Sequence, residues 1–218
     1  MTELMIVGST GLVGRSALRR ALADPRVTRV VAPTRRPLPQ PMPPKLENPV
    51  VDFEELPTDA AWWQVDAVVC TLGTTLKQAG SRGAFRRVDF DYVLAAAESA
   101  QRHGALAFAL NSSVGADARS GNFYLRTKGE LEDALRRLGY LSLTIVRPSI
   151  IAGDRAGHGG SRPMERLSLR VAQTFRGVVP TRYRPVSAEA IAAALIEAAV
   201  TAPSGVRTIE SDALESPR

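Results

Sequence analysis

Apolar residues recur along the chain in two rhythms, short unbroken runs and longer stretches spaced by three and four, and the two alternate nearly end to end. Residues 3–7 (ELMIV) predict a buried strand, and residues 12–22 (LVGRSALRRAL) a helix with Leu12, Ala17, Leu18, Ala21 and Leu22 on one stripe. Further strands are predicted at 28–32, 49–51, 65–71, 105–110, 141–146 and 206–210. Helices are predicted at 59–64, 84–103, about 122–138, 164–175 and 187–200. On the long helix at 84–103 the apolar side reads as Phe85, Val88, Tyr92, Ala95, Ala96 and Ser99. Strand and helix in alternation predict an α/β fold: a doubly wound parallel sheet of about seven strands with helices on both faces. Residues 37–49 are proline-rich and read as extended and mobile, and residues 77–83 as a polar lid. Past Pro148 the texture turns to Gly, Arg and Ser, so a small C-terminal substrate lobe is expected within about 148–186.

Length and composition narrow the picture. The 218 residues suit one domain, 1–218, with that lobe inside it, and 44% hydrophobic with 23% charged residues is ordinary for a soluble protein. No basic stretch followed by an apolar one opens the chain, so no secretory leader is expected. Residues 191–200 are apolar but short and contain Glu197, which predicts a packed helix and no membrane span. A single cysteine, Cys70, precludes an internal disulfide, fits the cytoplasm and reads as a buried hydrophobe. Net charge is +6, from 28 basic and 22 acidic residues, but the arginines are spread along helices without a polybasic run. That distribution argues for an anionic small ligand over a specific nucleic acid, and leaves a homodimer or a protein partner open.

The opening strand, glycine-punctuated turn and helix carry the first chemical signal. Gly8-Ser9-Thr10-Gly11-Leu12-Val13-Gly14 would set backbone N–H groups and the positive end of a helix dipole against a pyrophosphate. Gly8 would permit the turn, Gly11 the approach of phosphate, and Gly14 the close packing of helix on strand. At the end of the second strand Arg35 and Arg36 stand where a carboxylate would accept from a ribose 2′-OH. Their guanidinium groups favour a 2′-phosphate, hence NADP(H) over NAD(H). Asp52 and Phe53 follow the third strand where an adenine would lie, and Leu72-Gly73-Thr74-Thr75 leave the carboxyl end of the fourth.

The second signal is a set of hydroxyls and a lysine. Tyr124 and Lys128 are four apart on a predicted helix and share a face, and Ser112-Ser113 end the strand before it. Lys128 as a cation would lower the phenol pKa and bind the nicotinamide ribose, Tyr124 would exchange the proton, and Ser112 or Ser113 would hold the substrate oxygen. Arg155, His158 and Arg162 could grip an anionic group in the lobe, while two histidines in all give no metal cluster.

With Gly8-x-x-Gly11-x-x-Gly14, Arg35-Arg36, Leu72-Gly73-Thr74-Thr75, Val88-Asp89-Phe90-Asp91-Tyr92, Asn111 through Asp117, Tyr124-x-x-x-Lys128-Gly129-Glu130 and Val146-Arg147-Pro148 in order, the chain resembles an atypical or extended short-chain dehydrogenase/reductase. Within that group it is most similar to the Tat-interacting-protein-like oxidoreductases. The resemblance implies a Rossmann fold, NADP(H) binding, a Ser-Tyr-Lys catalytic set, and a cofactor lined by Leu72, Gly73, Pro148 and Ile150. The expected activity is an NADP-dependent oxidoreductase on a small carbonyl or alcohol. A non-catalytic NADP(H)-sensing regulator with a protein partner is the alternative, and a nucleotide-sugar epimerase or dehydratase a further one. The short Ser113-to-Tyr124 gap and the small region after Pro148 count against the nucleotide-sugar class.

Overall fold

The computed structural model describes residues 1–152, 182 and 184–214. In chain order it forms β1 (Thr2–Val7), α1 (Leu12–Ala23), β2 (Val27–Val31), β3 (Leu46–Glu47), β4 (Ala67–Cys70), α2 (Leu76–Ala79), α3 (Arg82–Arg86), α4 (Tyr92–Arg102), β5 (Ala107–Asn111), α5 (Phe123–Leu138), β6 (Ser142–Arg147), β7 (Ile151–Ala152), β8 (Val186–Ser187), α6 (Ala188–Thr201) and β9 (Gly205–Glu210). Seven strands make one sheet in the order β3-β2-β1-β4-β5-β6-β9, and every pairing in it is parallel. The expected doubly wound parallel sheet is thus observed. β1 has β2 on one side and β4 on the other, so the order reverses there and opens a crevice at the strands' carboxyl ends.

Burial explains why the strands read as unbroken apolar runs. β4 (AVVC) is buried at every position, because helices cover both faces of the sheet. Val13, Ala17 and Ala21 of α1 pack with Ile191, Leu195 and Ile196 of α6 on one face. Val93, Ala96 and Ala100 of α4 pack with Leu131 and Leu135 of α5 on the other. Register then aligns the carboxyl ends: Val7 pairs with Cys70, Cys70 with Leu110, and Leu110 with Ile145. The glycine turn, Leu72-Gly73-Thr74 and Asn111-Ser112-Ser113 therefore emerge along one edge. Among the described residues no helix is long and apolar enough to cross a membrane.

Three local expectations are corrected. The third strand is Leu46–Glu47, and residues 49–51 contribute only an isolated bridge between Val50 and Thr34. Pro49 has no N–H for the ladder, and the Asn48 amide donates to Ala32 O at 2.6 Å in place of a backbone donor. The stretch 77–83, read as a polar lid without helices, is built of two short helices, α2 and α3, capped by Thr75, whose hydroxyl accepts from Gln78 N, and by Ser81, which accepts from Ala84 N. The helix expected at 84–103 is interrupted by a π-helical turn, Arg87–Asp91, closed by Tyr92 N donating to Arg87 O. With the extra residue in that turn the buried side runs Phe85, Asp89, Val93, Ala96, Ala97, Ser99 and Ala100, so Phe85, Ala96 and Ser99 are buried as expected and Val88, Tyr92 and Ala95 are only half-buried. Most of the expected lobe, together with Arg155, His158, Arg162 and the helix at 164–175, lies outside the described residues.

α5 is held to the preceding loop through a glycine. A Cβ on Gly129 would stand 2.2 Å from Ala118 N and 2.3 Å from Asp117 C, whereas one on Gly83 in α3 meets nothing within 4 Å. Gly129→Ala is expected to cost at least about 1–3 kcal/mol from overpacking against backbone. Gly83→Ala is expected to stabilise by about 0.4–1 kcal/mol through loss of unfolded-chain entropy. Urea unfolding of the two variants checks both signs.

Candidate active site

The glycine turn is built by contacts that admit no side chain. Gly8 has φ +86°, and a Cβ there would lie 2.6 Å from Leu72 N; one on Gly14 would lie 2.0 Å from Gly8 O. Gly11 differs, because the nearest protein atom to its Cβ would be Gly8 O at 3.4 Å, so the protein itself does not require glycine there. Gly11 is the N-cap of α1, no side chain caps the helix, and its first turn holds no acidic residue. The Ser9 hydroxyl beside it is buried with no hydrogen-bond partner among the described residues. Leu12 and Val13 begin the helix, and the Thr10 carbonyl accepts from Arg15 Nη1 at 2.8 Å. A helix start with uncapped N–H groups, open space over Gly11 and an orphaned hydroxyl fits an anionic diphosphate.

One strand over, the loop after β2 is fixed from within. Thr34 Oγ1 donates to Arg36 O at 2.7 Å, Asn48 donates to Thr34 Oγ1 at 2.8 Å, and Leu38 N donates to Asn48 Oδ1 at 2.8 Å. Arg35 and Arg36 project from this loop, exposed and without an acidic partner among the described residues. Asp52 is exposed and accepts from Glu54 N at 2.9 Å, which a turn alone explains. Phe53 is buried in the core with its ring 5.9 Å from that of Tyr92. Burial, with Glu54 accepting the phenol proton at 2.6 Å, pushes Tyr92 up to about 12, so Tyr92 is a neutral brace for this loop.

Lys128 sits on α5 in a surrounding that the sequence reading did not anticipate. It is 4% exposed, and its Nζ lies 2.7 Å from Oδ1 of Asp89, itself 1% exposed. The other carboxylate oxygen of Asp89 accepts from Thr74 N at 2.7 Å. A Cβ on Gly73 would come within 3.1 Å of Asp89 Oδ1 and 3.7 Å of Lys128 Nζ, so the strand end passes directly over the pair. Burial opposes the Lys128 charge, yet Asp89, with Tyr124 and Cys70, outweighs it and holds the amine above its ordinary value. Burial pushes the Cys70 thiol up to about 12, so it stays protonated and unreactive at neutral pH. Tyr124, one turn before Lys128, is half-buried with its ring 5.6 Å from the ring of Phe85.

The two serines part company. Ser112 is buried and donates to Glu132 Oε1 at 2.6 Å, whereas Ser113 is half-buried and its hydroxyl reaches only Val114 O at 3.4 Å. Glu132 is fully buried and also accepts from Arg147 and Arg136. Pro148 is buried with its carbonyl accepting from Val114 N at 2.9 Å, Leu72 is half-buried, and Ile150 is 70% exposed. The structure thus brings Gly73, Thr74, Asp89 and Lys128 into contact, and keeps Arg35 and Arg36 at the far end of the crevice. A cleft of about 420 Å³ lies between the 116–119 loop, Gly129, Asp133 and Arg147, but those α5 residues are turned about 100–140° from Lys128. Its ionic groups are already paired, Arg119 with Asp117 and Asp133 with Arg136.

Sequence reasoning missed Asp89, Glu132 and Arg147 as contributors. Asp89 lay hidden because a carboxylate on an apolar stripe reads as solvated until its buried partner Lys128 is seen. Glu132 was readable as the next residue of the Tyr124, Lys128 stripe, again four along.

Comparison with known proteins follows the same lines. A family model described as NAD(P)H-binding matches residues 8–202. Protein HTATIP2 of Rattus norvegicus is 37% identical over 184 residues, covering 83% of this chain and 73% of its own length. Protein FMP52, mitochondrial, of Candida albicans is 32% identical over 180 residues, covering 78% and 73%. Among solved structures, MoeE5 in complex with UDP-glucose and NAD superposes with a TM-score of 0.70 at 16% identity, covering 97% of this chain and 79% of that one, a likeness of fold.

Removing Asp89 would leave a buried ammonium without its partner. Asp89→Asn is expected to destabilise the protein by about 3–5 kcal/mol at neutral pH. In the wild type the raised Lys128 pKa means the pair's contribution is complete below the unfolded lysine value and fades as pH rises through the folded one. The variant's deficit should therefore narrow in alkaline solution, where its unpaired Lys128 can lose the proton. Denaturant unfolding of both proteins across neutral to alkaline pH measures it, and a deficit independent of pH would contradict the assignment.

Proposed function

The chain belongs to the NAD(P)H-binding, atypical short-chain dehydrogenase/reductase family, of the Tat-interacting-protein-like kind, and from that premise we propose that it is an NADP(H)-dependent oxidoreductase acting on a small carbonyl or alcohol. The observation that carries the reading is a buried, charged Lys128 one helical turn from Tyr124, at the carboxyl edge beside the switch point. When bound, the dinucleotide supplies or accepts hydride. Everything else falls to the chain's own residues.

In this reading Gly8 to Gly14 present backbone N–H groups to the diphosphate, with Ser9 and Thr10 shaping the loop and Leu12 and Val13 starting the helix. Arg35 and Arg36 take the 2′-phosphate, since neither is paired with a carboxylate among the described residues, and exposed Asp52 flanks the adenine, with Phe53 in the core behind it. Leu72, Gly73, Thr74, Pro148 and Ile150 line the nicotinamide half. Lys128 holds a ribose hydroxyl and stabilises the phenolate of Tyr124, which passes the proton to or from the substrate oxygen. Ser113 orients that oxygen, because the Ser112 hydroxyl is already given to Glu132. The likeness to a nucleotide-sugar enzyme is one of fold and supports no nucleotide-sugar substrate here. We assign the protein to the cytoplasm from its single buried free cysteine, although the fungal relative carries a mitochondrial name.

Titrating NADPH and NADH by fluorescence, then screening carbonyls with NADPH, tests the reading. Two charge-assisted contacts should favour NADPH by at least about 10–100-fold, and Arg35→Ala/Arg36→Ala should erase the difference. Tyr124→Phe should bind NADPH as wild type does and turn over nothing. Equal affinities would defeat the NADP assignment. A protein that binds NADPH, reduces no carbonyl and captures a partner only when loaded would be a regulator.

A further inference from the structure

Beyond the pair at Lys128, α5 carries a second buried ionic cluster. Glu132 is fully buried and receives Arg147 at both oxygens, Nε to Oε1 at 3.0 Å and Nη2 to Oε2 at 2.5 Å. The Ser112 hydroxyl donates to the same Oε1 at 2.6 Å, and Arg136 Nη2 to Oε2 at 3.2 Å. The remaining Arg147 nitrogen, Nη1, donates to Glu210 Oε1 at 3.1 Å. Hydrogen bonding to Glu132, against the opposing effect of burial, raises the Arg147 pKa, so the guanidinium is charged throughout the accessible pH range.

The positions of these groups matter more than their number. Ser112 adjoins Ser113 at the end of β5, Glu132 follows Lys128 by one turn on α5, and Arg147 adjoins Pro148 at the end of β6. Glu210 ends β9 and lies 4.0 Å from Arg182, where the described chain returns after residue 181. The strand end that carries Ser113, the helix that carries Tyr124 and Lys128, and the strand end before Pro148 are thus tied to one carboxylate. Stability alone gives no reason for this, because apolar residues of like volume fill such a space as well or better. A forked guanidinium on a carboxylate fixes distance and angle, which an apolar contact does not.

We propose that Glu132 and Arg147 are positioning residues that set the Ser113 strand end against the Tyr124–Lys128 face of α5. The inference rests on the oxidoreductase reading above. Neither residue touches substrate or cofactor; both act through Ser112 and the helix.

The test compares wild type with Arg147→Lys, which keeps the charge but loses the fork, and with Glu132→Leu/Arg147→Met, which replaces the cluster's centre by apolar volume. Thermal melting, NADPH affinity by fluorescence, and kcat and KM for NADPH with 9,10-phenanthrenequinone as carbonyl probe are measured on each. Displacing Ser113 by a fraction of an ångström should lower kcat by about 10–100-fold in both variants, with NADPH affinity and KM within about threefold. If Arg147→Lys does not fold, the isosteric Glu132→Gln decides by the same readouts. An unchanged kcat per folded molecule beside a lower melting temperature would make the cluster merely structural and overturn the proposal. So would parallel loss of kcat and NADPH affinity. Wild-type protein that binds NADPH yet reduces no carbonyl would defeat the oxidoreductase reading and this inference together.

Discussion

An ammonium and a carboxylate 2.7 Å apart, each almost wholly removed from water, are the constraint around which the site is arranged. Such a pair is costly to bury, and its attraction offsets the lost hydration only when the remaining lone pairs find donors. Here the second oxygen of Asp89 has the amide of Thr74, so the backbone leaving β4 completes the pair. Gly73 suits that arrangement, since a Cβ there would stand 3.1 Å from the carboxylate and press on it. Asp89 lies in the π-helical turn, four residues after Phe85, whose ring packs on Phe123 and Tyr124 of α5. Sequence features that look unrelated, a glycine after a strand and an aspartate in an amphipathic helix, thus answer to one electrostatic demand.

The phosphate end of the crevice obeys a different kind of rule. Gly8 and Gly14 are fixed by hard contacts within the protein, so they would be needed whether or not anything bound. Gly11, the uncapped start of α1 and the orphaned Ser9 hydroxyl are where the protein's own needs stop explaining the sequence. The same division separates the arginines. Arg26, Arg29, Arg136 and Arg147 are engaged with carboxylates, whereas Arg35 and Arg36 are held out from a loop braced by Asn48. Side chains that the fold does not use are the ones a ligand has to account for.

How much could be read in advance follows from whether the governing contacts were local. The parallel sheet, both faces of helices, and the ends of α5 at Asn122 and Gly139 were legible because apolar runs and caps are properties of neighbouring residues. Thr75 and Ser81 were equally local signals for α2 and α3, and were passed over in favour of a polar lid. The strand shift from 49–51 to Leu46–Glu47 turned on one side-chain amide reaching Ala32, which no periodicity encodes. Asp89 was out of reach for a firmer reason: the partner that justifies its burial lies 39 positions along the chain at Lys128. The choice between Ser112 and Ser113 likewise waited on Glu132, a residue on another element.

Helix α5 shows why the two ends of the site can be treated apart. Tyr124, Lys128 and Glu132 form a single stripe, with the tyrosine half-buried and the two charges sealed beneath it. Lys128 reaches toward the end of β4 and the π-helical turn before α4, Glu132 toward the ends of β5 and β6, so the helix is clamped by ion pairs in two directions. Neither clamp includes a residue of the glycine turn, whose geometry depends on contacts within the turn and with Thr71 and Leu72 at the β4 end. A dinucleotide could therefore be held by one set of constraints while the acid–base groups are aligned by another. Divergence within such a fold can then relax the second without touching the first, so that binding and turnover are separable properties of one architecture.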